Sequence, residues 1–411
     1  NRVRPSAASE GYKRQVLAVL VCQYRDAAEG RKMGEIAQDL VERFNARDVR
    51  GRVHYYFLSS VSPWTSDIQN RLPLLQRAAD YSLEAGDLPF AALSLFDMLG
   101  QNLMFGSASL EESEDLLARY GPQIHGMGQE SLSQMFNLMR QSFHLLKSGS
   151  RQRSQIAGDY FDESKVRPRW EDTGASRNLF YLQLFKNWLG LIYFTDQPAP
   201  VRLAGAGAPI AHFDSVFAEY LDCCLSLMQD KKGSAEKPAA SLLDRLVEYE
   251  KQAPANFGFM RAHLQGELRW KQGDLSGAMD AFDEACAISA SSAILCGMIQ
   301  QRTAAFYLNL RKPRFARIYA DRARQIFQQI HSYGQLDQCE RMLDEIRLQE
   351  VRQAPEDSRK SSSVSAMADT AVTTTASEAE LDLESLMRSS AIVSSEIELD
   401  QLIGKLLPTL R

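Results

Sequence analysis

A short turn occurs twice in this chain, Gly86-Asp87-Leu88 and Gly273-Asp274-Leu275, each with an alanine five residues after the glycine, Ala91 and Ala278. In both copies a large apolar residue follows at nine residues, Leu95 and Phe282, and another apolar residue at twelve, Met98 and Ala285. The pattern predicts a helix, a tight turn and a second helix. The alanines fall where the second helix must approach the first, so a larger side chain there would push the pair apart. A weaker copy follows Arg311-Lys312-Pro313, with Ala316, Ala320 and Ala323 at the same offsets and Pro313 suited to the first turn of a new helix. Helical pairs of this kind stack to bury their faces. An array can therefore reach 411 residues without a single ordinary core setting the limit.

Along the chain, periodicity predicts two helices within Gly11 to Asn45, a helix over Val53 to Val61 that ends at Ser62-Pro63, and helices over Leu72 to Ala85, Pro89 to Phe105, Glu111 to Tyr120 and Ser131 to Lys147. The polar stretch from Gly149 to Ser176 reads as a long irregular connection. Asn178 to Phe194 is apolar on nearly all sides, which requires packing between neighbours. A Pro/Gly/Ala loop, Pro198 to Pro209, precedes a helix over Phe213 to Met228; two helical pairs then span Ala239 to Asp337, and a last helix covers Gln338 to Arg352.

The composition changes at Ala354. Residues 354–379 are rich in Ser, Thr and Ala and lack the aromatic content that would offset the entropy of ordering, so they read as a disordered linker. Phosphates on Ser358 to Thr375 would change its reach, although a plain spacer is the favoured reading. Residues 380–411 regain an apolar pattern through Leu386, Val393, Ile397, Leu402 and Leu406, an amphipathic helix with Ser395 and Glu398 as a capping box. Its approximate heptad step makes it a candidate signalling helix and homodimer element. Residues 1–10 read as a flexible flank, and the missing initiator Met as the mark of a piece of a longer polypeptide.

Basic and acidic residues are mixed along the chain, with a net charge of −5, which argues against nucleic acid or an anionic membrane as the main partner. No apolar run approaches the roughly 20 residues of a membrane span. Neither a signal peptide nor a disulfide or zinc spacing is seen among the six cysteines, so a cytoplasmic location is expected.

His212 with Cys223 and Cys224 suggests metal ligands, but adjacent helical cysteines diverge by about 100° and core packing is favoured. Asp159, Asp162 and Glu163 read better as a solvated acidic loop capping the next helix than as a cation site. Tyr55, Tyr56 and Phe57 read as buried rather than as a recognition surface. Gly205-Ala206-Gly207 lacks the rest of a phosphate loop. No catalytic, cofactor-binding or metal-binding residue is assigned. The structural positions are Gly86, Asp87, Ala91, Gly273, Asp274, Ala278, Phe282, Ala285, Ala316 and Ala320.

Phe161-Asp162-Glu163, Ala253-Pro254-Ala255-Asn256-Phe257 before the Gly273 turn, and Leu381-Asp382-Leu383 with Ser389, Ser394-Ser395-Glu396-Ile397 and Leu399-Asp400 carry a resemblance. From about Gly11 to Leu410 the chain resembles the helical middle region of large signalling proteins. These join a serine/threonine-kinase-like domain, an AAA-type ATPase, a tetratricopeptide-like array, a GAF domain and a sensor histidine kinase. The resemblance implies an all-α, tetratricopeptide-like helical-pair superhelix over residues 11–353, followed by the linker and by a helix leading into a GAF domain beyond this sequence. It implies a non-catalytic scaffold whose partners are the other domains of the same polypeptide and proteins on its concave face, with ATP used by the parent protein. An autonomous peptide-binding module is the alternative, and an all-α enzyme a more remote one.

Overall fold

The computed structural model describes residues 18–19, 26–106, 108–148, 155–193, 212–230, 233–288 and 292–353. The chain divides into two units at Arg352 and Gln353, and the described helices belong to the first. The 386–406 signalling-helix positions, the 354–379 linker and the Gly205-Ala206-Gly207 loop lie outside the described residues.

Among the described residues the protein is all-helical, with no named strand. The helices are α1 (Ala27–Arg43), α2 (Arg47–Tyr56), α3 (Leu72–Glu84), α4 (Leu88–Phe105), α5 (Leu110–Gly126), α6 (Glu130–Ser148), α7 (Glu163–Asp172) and α8 (Ser176–Tyr193). They continue as α9 (Phe213–Gln229), α10 (Glu236–Gln252), α11 (Pro254–Gln272), α12 (Leu275–Ile288), α13 (Ala293–Asn309), α14 (Pro313–Gln329) and α15 (Tyr333–Gln353).

One hydrogen-bonded turn recurs at six helix ends. Gly86 and Gly273 adopt the left-handed conformation, at φ 70° and 82°. At Gly273 the amide donates to Trp270 O at 3.1 Å while the next amide, Asp274, donates to Arg269 O at 2.9 Å. The same two bonds form at Gly86, Gly174, Asn45, Arg311 and His331, each with positive φ. This arrangement satisfies carbonyls that a helix end would leave bare. The repeated aspartates diverge in role: Asp274 caps α12 by accepting from Gly277 N at 3.0 Å, whereas Asp87 pairs with Arg52.

Beyond each turn the small residues do what their spacing implies. Ala91, Ala278, Ala285, Ala316 and Ala320 have no exposed surface, and Phe282 is equally sealed. The facing helix makes room with glycine: a Cβ on Gly266 would lie 2.9 Å from the Phe282 ring, and one on Gly297 2.6 Å from that of Phe327. Two substitutions separate the causes. Gly297→Ala should lower the unfolding free energy by about 1–3 kcal/mol through overpacking. Gly273→Ala, whose Cβ meets nothing within 4 Å, should lose only about 1 kcal/mol of left-handed strain. Urea midpoints of both variants check this; equal losses would contradict it.

Several boundaries differ from the sequence reading. The Val53 to Val61 segment is helical, but it passes through a π turn, Phe57–Val61, and a 3-10 turn, Ser62–Trp64, so Ser62-Pro63 does not stop it. Helix α5 runs beyond Tyr120 through Pro122, because Ile124 lies on its buried side and Met127, at its C-cap, is buried as well. The 149–176 stretch contains a helix, α7. Asp162 caps it by accepting from Ser164 N at 3.0 Å. Glu163, however, is 3% exposed and meets Lys186 at 2.7 Å, so it is a buried ion-pair member rather than a solvated one.

The apolar helix α8 packs between α6 and α9, as its composition requires. Tyr55 and Phe57 are buried, and Tyr55 and Tyr56 both meet the edge or face of Phe90. One contiguous core includes residues from Ala18 to Cys339, and a second cluster joins Phe282 and Phe306 to Ala316, Ala320 and Leu343.

Candidate functional site

Helices far apart in sequence meet around Asn256. This residue is 1% exposed at the start of α11, and its amide group makes three bonds to the segment between α2 and α3. Nδ2 donates to Pro63 O at 2.6 Å and to Ser66 O at 2.8 Å, and Oδ1 accepts from Ile68 N at 2.9 Å. Trp64 stacks on neighbouring Phe257 at 5.6 Å and meets Tyr249 edge-on at 5.0 Å. Nearby, Ser292 donates to Met104 O at 3.3 Å, and Leu110 N donates to Ile330 O at 3.1 Å. A strictly linear stack brings each unit only against its neighbours. Here residues separated by about half the chain are hydrogen-bonded.

Beside this clasp lies a buried charge cluster assembled from five segments. His212, at the start of α9, lies with Nε2 3.2 Å from Asp97 Oδ2 on α4 and with Nδ1 3.3 Å from Asp214 Oδ2. Tyr181 of α8 donates to Asp214 Oδ2 at 2.9 Å. Arg71, 1% exposed before α3, donates to Leu58 O and, at 3.4 Å, to Ile68 O, while Tyr55 of α2 faces Asp97. Burial acts to discharge His212, but the carboxylates of Asp214 and Asp97 outweigh it and push its pKa up to about 10. Burial pulls Arg71 down to about 10 against the pull of the same two carboxylates. Burial would raise Asp214, yet His212 holds it below the usual carboxylate range. Two cationic groups therefore lie against two carboxylates in a largely buried site, the arrangement under which buried charge is tolerated.

A second buried line joins α9, α11 and α13. Tyr220 OH lies 2.6 Å from His263 Nδ1, Cys224 Sγ 3.8 Å from the same atom, and His263 Nε2 3.5 Å from Glu267 Oε1. Arg302 grips both oxygens of Glu267 and lies over the Trp270 ring at 4.6 Å. Burial would raise the Glu267 carboxyl, but Arg302 takes it down to about 2. Cysteine, histidine and glutamate are the residue types of nucleophilic catalysis. This thiol is nevertheless fully buried, and burial pushes its pKa well above the ordinary value. A thiol held this way is a poor nucleophile, and the line joins three helices. Iodoacetamide should therefore label Cys224 only after denaturant is added; rapid labelling of the native chain would contradict the sealed geometry.

Core packing is the favoured sequence reading of His212, Cys223 and Cys224, and all three are buried. Within the core, His212 sits between two aspartates and Cys224 against His263. Asp97 and Asp214 carry no sequence expectation and Asn256 enters only as part of the Ala253 to Phe257 segment, although Asp97 interrupts the apolar run Leu95-Phe96-Met98-Leu99, a sign of a buried partner. No model of a known protein family matches the chain, and no curated protein does.

Proposed function

We propose that this chain is a non-catalytic helical connector, a tetratricopeptide-like array within a large cytoplasmic sensor histidine kinase of two-component signalling. It joins a kinase-like and ATPase part to a GAF and histidine-kinase part. The observation that carries this reading is the Asn256 clasp. The Ala253 to Phe257 segment, one of those that bear the resemblance, supplies the side chain that ties α11 to the segment before α3 across some 190 residues. A body braced in this way can pass a displacement from one end to the other, where an unbraced stack would bend. The buried charges support the same reading, since they are spent on one another and on backbone groups of the chain.

The test is made with ATP labelled in the γ-phosphate. The full-length gene product should acquire acid-labile phosphate on histidine, and the 411-residue chain alone should acquire none. A full-length product that carries no phosphohistidine would overturn the proposal.

A further inference from the structure

Helix α14 exposes charge and apolar surface on one face. Arg314, Phe315, Ile318, Arg322 and Gln325 fall on one side, whereas Ala316, Ala320, Ala323 and Phe327 are buried on the other. Phe315 is 52% exposed and Ile318 48%. The Phe315 ring is held in place: it stacks on Tyr307 at 5.5 Å, and Tyr307 stacks on Tyr319 at 5.4 Å. Tyr319 is fixed in turn by donating to Asp283 at 2.6 Å, with Arg322 over its ring at 5.7 Å. A partner meeting this surface has little left to order, which favours binding.

The charge on the face has one sign. Arg317 and Arg324 turn toward Glu350 and toward Asp321 and Glu340. Arg314, Arg322 and Lys312 are exposed around the two apolar side chains. The face is also narrow, because Asp283 and Asp280 of α12 border it near Tyr319 and Tyr307. The broad anionic surface of a membrane or a nucleic-acid duplex would meet those carboxylates as well, whereas a single helix laid along α14 keeps its own carboxylates on the arginine side, away from α12.

We propose that this face docks an acidic amphipathic helix of a partner protein. Its apolar side chains rest on Phe315 and Ile318, and its carboxylates meet Arg314 and Arg322, which stand about 12 Å apart along the axis. The surface stands independently of the connector role.

The test uses the 411-residue chain and a fluorescent peptide of about five turns with leucine on one face and glutamate on the other. Fluorescence anisotropy should show saturable binding that salt weakens. Arg314→Glu combined with Arg322→Glu, and separately Phe315→Ser, should each weaken binding by about tenfold or more with the circular dichroism unchanged. The double variant should gain affinity for the same peptide with lysine in place of glutamate. The proposal is overturned if the wild-type chain binds neither peptide, binds both equally, or binds the glutamate peptide as tightly after these substitutions. It is equally overturned if the face captures phosphatidylserine vesicles or duplex DNA in preference to the peptide. Self-association that Phe315→Ser abolishes, without peptide binding, would assign the face to a second copy instead.

Discussion

Asp97→Asn should lower the unfolding free energy by about 3–5 kcal/mol, a large share of a domain's total. The substitution preserves shape and removes one of two carboxylates that face His212 and Arg71. Two buried cations are left against Asp214 alone, and an uncompensated buried charge is what makes breaking such a cluster costly. Urea unfolding measures the loss; a change below about 1 kcal/mol would mean that solvent reaches the cluster. The pH dependence carries a second signature. The Asp214 and Asp97 carboxylates push the His212 pKa up to about 10 in the folded chain, from an ordinary imidazole value of about 6.5. A raised folded pKa stabilises fully below about 6.5 and is lost as pH rises through about 10. Wild-type stability should therefore decline over that window, and the decline should be shallower in Asp97→Asn. Parallel slopes would contradict the role given to Asp97.

Asn256→Ala should cost a comparable amount, about 3–5 kcal/mol, because two buried backbone groups lose their partners at about 1–3 kcal/mol each, while the half-buried Ser66 carbonyl can turn to water. The carbonyls of Pro63 and Ser66 and the amide of Ile68 have the Asn256 side chain as their bond across the clasp. The effect should be local as well as global. Hydrogen exchange should quicken first in the segment before α3 and at the start of α11. Uniform protection together with wild-type stability would show that the aromatic stack of Trp64 on Phe257 suffices by itself.

The helical pairs were legible wherever a residue type betrays its backbone. Gly86 and Gly273 mark left-handed turns because glycine adopts them without strain, and Pro313 marks a first turn. The same turn at Asn45 and His331 went unread, since residues with side chains seldom adopt positive φ and nothing in their identity announces it. Helix α7 was hidden by its polarity: only Trp170 and Glu163 are buried, and a buried glutamate breaks the apolar pattern. The charge cluster was illegible for another reason. Asp97, Arg71 and His212 come together only through tertiary packing, and no spacing relates positions on α4, before α3 and at the start of α9. Asn256 lay in a segment singled out for its wording, while its bonds to Pro63 and Ser66 depend on a return of the chain that periodicity does not encode.

The decisive measurement for the proposed connector role is the rate of histidine phosphorylation in the longer gene product that the proposal implies, with and without Asn256→Ala, as nucleotide at its proposed ATPase end is varied. If the helical body transmits, the wild-type rate follows the nucleotide, and the variant phosphorylates at a rate that no longer responds. A variant that responds as the wild type does, with its clasp shown by hydrogen exchange to be open, would contradict the connector role.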